Sequence, residues 1–474
     1  MTAAHAADTP SSLVLSPFRG LRFTAAADRA AVISPPYDMI DPDRAHRLAS
    51  GDAHNIVRVI LPEFDEPDPL LRYRRAARTL RDWRTEGLLA LDAEPALYVY
   101  EQVAPAPSTD AAPGEAAGGG EAGEDGGEDI GGPAAGAPVV QRGLIGALRL
   151  PVEGESPARI HPHEDVVDAV VQDRRSLMYA LGANPEPILL TYRGGGAASA
   201  LVESVADGAA AAGPADAAQP SSPPLLVIDV LTGDGVRHRL WAVTDPADLE
   251  AVAADLADRE ALIADGHHRY AAYRELAELG RPGSGYGLAL LVDSQRHPLQ
   301  VRGIHRWLPD LPGAEALHKA EKWFTVRPVD GGYRGALAAL GALPADRIGF
   351  AVVDGHKAWL LSDPDERLLA EHVPADRPEA WRRLDATVLH HALAGAVWSV
   401  PDTADHIRYD HDPRSAVVEA HRHSGLAVLL RPVAEPTVLE LAAAGCMMPR
   451  KSTSFSPKPA TGLVLRLLDE AAEA

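Results

Sequence analysis

Short blocks of alternating or continuous apolar residues recur along most of this chain, separated by turns rich in Gly, Pro, Asn and Asp. ALYVYEQ and QRGLIGALRL read as strands, as do HNIVRVILPE, GYGLALLVDS and LQVRGIHRWL, the last two as neighbours. LLVIDV and RHRLWAV flank TGDG, and GFAVV and AWLLS flank Asp354-Gly355, so both pairs predict hairpins. A 3.6-residue period replaces alternation over 70–90, where Tyr73, Ala77, Leu80 and Trp83 share one face and arginines lie between them. Leu177, Ala180 and Leu181 mark a second helix. Further helices fall at 312–325, 331–342, 384–395 with Asp385 as its cap, 413–422 and 435–444. Helices and strands intermix without a βαβ dinucleotide fingerprint, so the fold class is α+β, with mixed sheets, hairpins and packed helices.

Two stretches break the pattern. Residues 103–138 and 205–223 are rich in Ala, Gly, Pro and acidic residues, cannot bury enough apolar surface to offset ordering, and are expected to be disordered loops within the fold. The first joins strands of opposite direction. With a disordered leader at 1–15, this gives an N-terminal α+β region over 16–310 and a C-terminal α+β region over 311–474, whose last segment is a candidate for closing over a site.

Composition narrows the function. A chain of 474 residues with 46% hydrophobic content can bury a sizeable core, and a net charge of −22 argues against nucleic acid as the main partner. Cys446 is the single cysteine, which excludes an intrachain disulfide framework and a cysteine-based structural zinc site. The start lacks a signal-peptide pattern and no apolar run is long enough to span a bilayer, so a cytoplasmic location is expected, with no membrane partner. Ala, Gly, Arg and Pro usage fits a GC-rich bacterial genome.

The chemistry concentrates in LIADGHHRYAAYRELA, residues 262–277, a strand end, a polar turn and a helical pattern. A helix start leaves backbone N–H groups unpaired and favours an anion. Gly266 permits close approach, while His267, His268 and Arg269 add donors suited to phosphate oxygens. The plainer reading makes Asp265 a helix cap and leaves the histidines on an exposed first turn. Asp354-Gly355-His356-Lys357 repeats the opening of the motif inside a hairpin and carries no function. Upstream, His161, His163 and Glu164 form a polar turn, and Asp173 and Arg174 open the following helix. Near the end, Lys451, Ser452, Thr453, Lys458 and Thr461 offer charge and hydroxyls to an anion, or form a basic surface loop tied down by Phe455.

SPFRGLR, SPPYDMI, HNIVRVILPE, ALYVYEQ, RGLIGALRL, HPHE with DR after it, IADGHHRY, and MPRKSTSFSPKP with TGL resemble, in that order, the bacterial DUF1015 family. An HE pair followed by DGHHR is also similar to free-serine kinases related to the ParB and sulfiredoxin fold. DVVDAVVQ stands where family members often have a Pro-Gly loop, and HE and DGHHR lie further apart than in the compact kinases.

The second resemblance implies a ParB/sulfiredoxin-like core around the turn, with a small-molecule substrate and a nucleotide as partners. It implies a kinase that phosphorylates free serine or a similar hydroxyl metabolite from ATP or another phosphate donor with Mg²⁺. Glu164 would be the base, Asp265 would hold the Mg²⁺, and His268 would join them in catalysis. Gly266, His267, His268 and Arg269 would hold the phosphates. His163, Arg174, His305, Arg306, Lys451, Ser452 and Thr453 are the candidates for binding the acceptor. Two alternatives stand beside it: a nucleotide-binding regulatory protein without turnover, and a metal-dependent hydrolase with His161, His163, His267 and His268 as ligands.

Overall fold

In the computed structural model, the described residues are 12–470 apart from 65, 67, 106–137, 153–154, 156–158, 209–222 and 404. Most of the three expected disordered stretches lies outside them. At their edges, Leu15–Ser16 is a strand, Leu97–Ala104 extends past 103, and helix Ala197–Gly208 covers 205–208. Val205 and Ala206 are buried one turn beyond Leu201 and Val202, so the apolar face continues through the stretch read as a loop.

The first sheet has nine described strands and mixed direction. Leu97–Ala104 pairs antiparallel with Val139–Arg149, the two strands joined by the first low-complexity stretch. The expected hairpin Leu225–Leu231 with Arg237–Val243 adds to one side of this pair. On the other side Tyr286–Asp293 runs antiparallel to Val139–Arg149 and parallel to Ile188–Tyr192. Ile188–Tyr192 in turn pairs antiparallel with Ala261–Asp265. These central strands are buried on both faces, and successive residues serve opposite cores: Leu288 and Leu290 belong to one apolar cluster, Ala289 and Leu291 to the other. Helices Asp168–Leu181 and His267–Glu278 pack against each other.

The second sheet has six strands, all antiparallel, in the order Thr325–Val329, Lys357–Ser362, Gly349–Asp354, Leu426–Leu429, His305–Leu308, Arg408–Asp410. After helix Glu435–Ala443 the chain returns to earlier segments in two small sheets: Ser454–Ser456 pairs with Gln300–Arg302, and Leu465–Leu467 lies between Gly20–Phe23 and Ala183–Asn184. No described helix is long and apolar enough to cross a membrane.

The fold is thus α+β, and three local expectations are corrected. HNIVRVILPE contains a buried helix, Val57–Ile60, begun by the Asn55 side chain accepting from the Val57 N–H. A continuous apolar run does not by itself distinguish a strand from a helix buried on all sides. GYGLALLVDS and LQVRGIHRWL are not neighbours: the first belongs to the large sheet, while the second splits into Gln300–Arg302 and His305–Leu308 in two other sheets. The break falls at Gly303, where a Cβ would come within 2.4 Å of the Leu430 carbonyl. Asp385 does not cap its helix. Its carboxylate accepts from the Gly349 N–H and pairs with Arg431, and the helix continues into a π-helical stretch, Leu389–Val397.

Candidate functional site

Strand Ala261–Asp265 is buried throughout and ends at Gly266, whose φ of 92° places it in the left-handed region. A Cβ there would lie 2.9 Å from Ile188 Cγ2, so only glycine makes this turn without displacement. Helix His267–Glu278 starts directly after it with no side-chain cap. The capping role considered for Asp265 is therefore not what this carboxylate does.

Asp265 instead joins two cations. Its Oδ2 accepts from Arg269 at 2.6 Å, and its Oδ1 lies 2.6 Å from Lys458 Nζ, which is also 2.6 Å from Asp38 Oδ2. Asp38 comes from the turn Tyr37–Met39, which follows Pro35 and Pro36. Burial raises the Asp38 pKa, but Lys458 and Arg269 together bring it below its ordinary value. Burial and the charge of Asp38 push Asp265 up, against Lys458 and Arg269. Both oxygens of Asp265 are thus already bound to cations. No described group of three His, Cys, Asp or Glu is arranged to hold a metal. As an Mg²⁺ ligand Asp265 does not fit this arrangement.

Arg269 is 3% exposed and also donates to the Pro187 carbonyl at 2.6 Å, so it braces the turn from below. Tyr37 lies between it and Arg174, with the guanidinium carbons 5.8 and 4.4 Å from the ring centre. Glu186, fully buried, accepts from the Tyr37 N–H, and burial raises its pKa against the pull of Arg269 and Arg174. Arg174 is itself buried and committed to Asp173 and the Ile60 carbonyl. Both arginines are inner supports of the turn.

The two histidines of DGHHR bind the HE loop. His267 Nε2 accepts from the His163 N–H at 3.4 Å, and His268 Nε2 accepts from the Val167 N–H at 3.0 Å. An accepting ring nitrogen carries no proton. Burial depresses both pKa values, that of His267 far below its usual range, and Lys451 adds to the effect at His268. These rings are neutral, and their Nε2 atoms accept from the HE loop instead of donating to a phosphate as the sequence suggested.

The loop they hold presents Glu164. Its Oε1 accepts from the Thr453 N–H at 3.2 Å and from the Thr453 hydroxyl at 3.0 Å, and that hydroxyl is 2.8 Å from His163 Nε2. The Met448 N–H donates to the His163 carbonyl at 2.7 Å, so the terminal segment is joined to the HE loop by backbone as well. Glu164 Oε2 has no hydrogen-bond partner among the described residues. Ser452 is buried and donates to the Pro449 carbonyl, while Lys451 is exposed, with a φ of 57°. The charge of Lys451 acts on Asp38, His268 and His411. His305 accepts from the Leu430 N–H, and burial lowers its pKa to about 4. Arg306 beside it is fully buried.

His161 stands apart. It pairs with Glu260 at 3.3 Å and lines a cleft of about 440 Å³ with Tyr192, Arg259 and Leu439. That cleft adjoins Ala261 and Leu262, at the opposite end of the strand from Asp265. The four-histidine metal site considered from sequence is not assembled.

Sequence reasoning missed Asp38 as a member of the site and took Lys458 only as a donor to an anion. The two are 420 residues apart in the chain, and no local pattern announces their contact.

A protein-family model described as "Protein of unknown function (DUF1015)" matches residues 15–112 and 134–387. Among solved structures, a free serine kinase in complex with AMP is similar at 16% identity and a TM-score of 0.32, over 65% of this chain and 89% of that one. A conserved hypothetical protein from Pyrococcus furiosus is similar at 16% identity and a TM-score of 0.31, over 66% and 93%. SbnI with C-terminal truncation from Staphylococcus aureus is similar at 11% identity and a TM-score of 0.31, over 70% and 90%. No curated protein matches the sequence.

Proposed function

The chain belongs to the DUF1015 family, whose description names no activity, and from the chemistry of its own site we propose that it is a small-molecule kinase that phosphorylates free serine or a similar hydroxyl compound. The observation that carries the reading is Glu164. One oxygen is fixed by two donors from Thr453, the other has no hydrogen-bond partner among the described residues, and the loop bearing it is held against the start of helix His267–Glu278 by His267 and His268.

Phosphoryl transfer asks a protein mainly to position the reactants, to neutralise phosphate charge and to accept a proton. In this reading the acceptor oxygen attacks the terminal phosphorus of a nucleotide or other donor. The bond from phosphorus to the leaving phosphate oxygen breaks, its electrons stay with the leaving group, and the hydroxyl proton passes to Glu164 Oε2. The N–H groups of the helix start, which no side chain caps, and the exposed Lys451 meet the phosphate oxygens. The Asp38–Lys458–Asp265–Arg269 chain holds the turn rigid beneath them. Mg²⁺ would arrive with the donor, coordinated by its phosphates.

The test is a transfer assay on the full chain with Mg²⁺, offering ATP, ADP and pyrophosphate as donors and L-serine with a panel of hydroxyl metabolites as acceptors. Formation of a phosphomonoester from one acceptor, phosphoserine first among them, is the expected result. Nucleotide binding without transfer would replace the kinase with a non-catalytic nucleotide-responsive protein. Absence of binding would remove the phosphate site altogether.

A further inference from the structure

Arg306 is a buried charge with no carboxylate in contact among the described residues. It sits on strand His305–Leu308, between two paired strands, and its side chain is fully enclosed. Its Nε donates to His390 Nε2 at 3.3 Å, one terminal nitrogen donates to the Ile304 carbonyl, and the other reaches the Arg450 carbonyl at 3.4 Å. The Tyr409 ring centre is 5.0 Å from the guanidinium carbon. All of these partners are neutral, and burial brings the pKa down to about 10.

Three other arginines buried among the described residues serve as controls. Arg174 and Arg269 each contact a carboxylate, Asp173 and Asp265. Arg466 contacts none, but its guanidinium is satisfied by three neutral acceptors at 2.7 to 2.9 Å. Only Arg306 pairs a missing countercharge with two long contacts. Enclosing a charge is unfavourable unless a partner offsets it, and a planar fork of this kind matches a carboxylate's two oxygens.

The carboxylates whose charge acts on Arg306 from a distance are Glu164 and Asp402, and Asp402 is engaged by His390. Glu164 acts on Tyr409 as well. Arg306 is thus within electrostatic reach of the group assigned above as the base. Its weakest contact points to Arg450, in the same exposed turn whose continuation, Thr453, fixes Glu164.

From this juxtaposition we infer that Arg306 anchors a carboxylate of the acceptor, beneath the Arg450–Lys451 turn, so that the substrate class is hydroxy acids or hydroxy amino acids rather than hydroxyl compounds in general. The inference rests on the kinase reading for what happens to the hydroxyl, but the binding claim stands without turnover. On entry the turn lifts, and the two nitrogens with long contacts, Nε at 3.3 Å from His390 and the terminal nitrogen at 3.4 Å from the Arg450 carbonyl, take the two oxygens of the carboxylate instead.

Calorimetric titration of the full chain, with a non-transferable nucleotide analogue present, tests it on matched pairs: L-serine against L-serinamide, L-threonine against L-threoninamide, and glycerate against glyceramide. At least one acid is expected to bind about tenfold or more tighter than its amide, as the loss of a charge-assisted hydrogen bond requires. Arg306→Lys keeps the charge but loses the fork, and should erase most of that preference while leaving nucleotide affinity unchanged. Equal binding of acids and amides, no binding of any acid, or a variant that weakens nucleotide instead would each overturn the anchor. Should Arg306→Lys lose its cooperative thermal transition, the wild-type pairs decide alone. An acid preference with no phosphoryl transfer from any donor would retain the anchor and reject the kinase. Transfer to amides as fast as to acids would do the reverse.

Discussion

Lys458 lies 2.6 Å from both the exposed Asp38 and the buried Asp265, and this one side chain determines whether the two carboxylates can face each other. Burial works against its charge, but the two aspartates raise its pKa. Lys458→Met should cost about 1–3 kcal/mol, because it leaves Oδ1 of the buried Asp265 without its charged donor while Arg269 still holds Oδ2. Adding Asp38→Asn should recover part of that loss, as expected where two groups share one interaction. Urea unfolding of the two single variants and the double variant measures both effects, and additive losses would contradict the cluster. At this scale the sequence revealed residue types more readily than their states. Glu164, Asp265 and the DGHHR turn stood out from density and spacing. That His267 and His268 are neutral depends on burial and on N–H donors about a hundred positions upstream, which a linear reading does not contain.

Among the elements, the turn between strand Ala261–Asp265 and helix His267–Glu278 is the one the site is built on. The chain holds a natural comparison. Gly266 has a φ of 92° and no room for a Cβ, whereas Gly355 in the hairpin copy of the motif has a φ of 57° and nothing nearer than 3.7 Å. Gly355→Ala should cost about 1 kcal/mol from its backbone conformation alone. Gly266→Ala should cost about 1–3 kcal/mol for the backbone and more for the contact with Ile188. Thermal unfolding of the two variants ranks them, and a smaller loss at Gly266 would mean that the turn is not the fixed platform described. Hairpins were the legible elements, because alternation and Asp-Gly or Gly-Asp turns are local signals. The helix Val57–Ile60 was not, because all-round burial removes the polar face that separates helix from strand.

At the scale of the whole molecule, the site depends on the chain's return after the second sheet. The HE loop and DGHHR come from residues 161–269, and Thr453 and Lys458 from the segment that comes back to them after the second sheet. The α+β class was legible, since it follows from the mix of local patterns. The return was not, because the pairings of Ser454–Ser456 and Leu465–Leu467 join residues far apart in sequence. We propose that this returning segment completes the site, with Thr453 as the group that positions the base.

The measurement that bears most directly on this account is made on Glu164→Gln, with phosphoryl transfer and nucleotide affinity read from the same preparation. The account predicts that transfer falls by at least about a thousandfold, within the range that general-base catalysis and its positioning supply, while nucleotide affinity stays within about twofold, less than a single ordinary hydrogen bond contributes. Transfer that survives the substitution, or nucleotide binding lost together with it, would contradict the role given to Glu164.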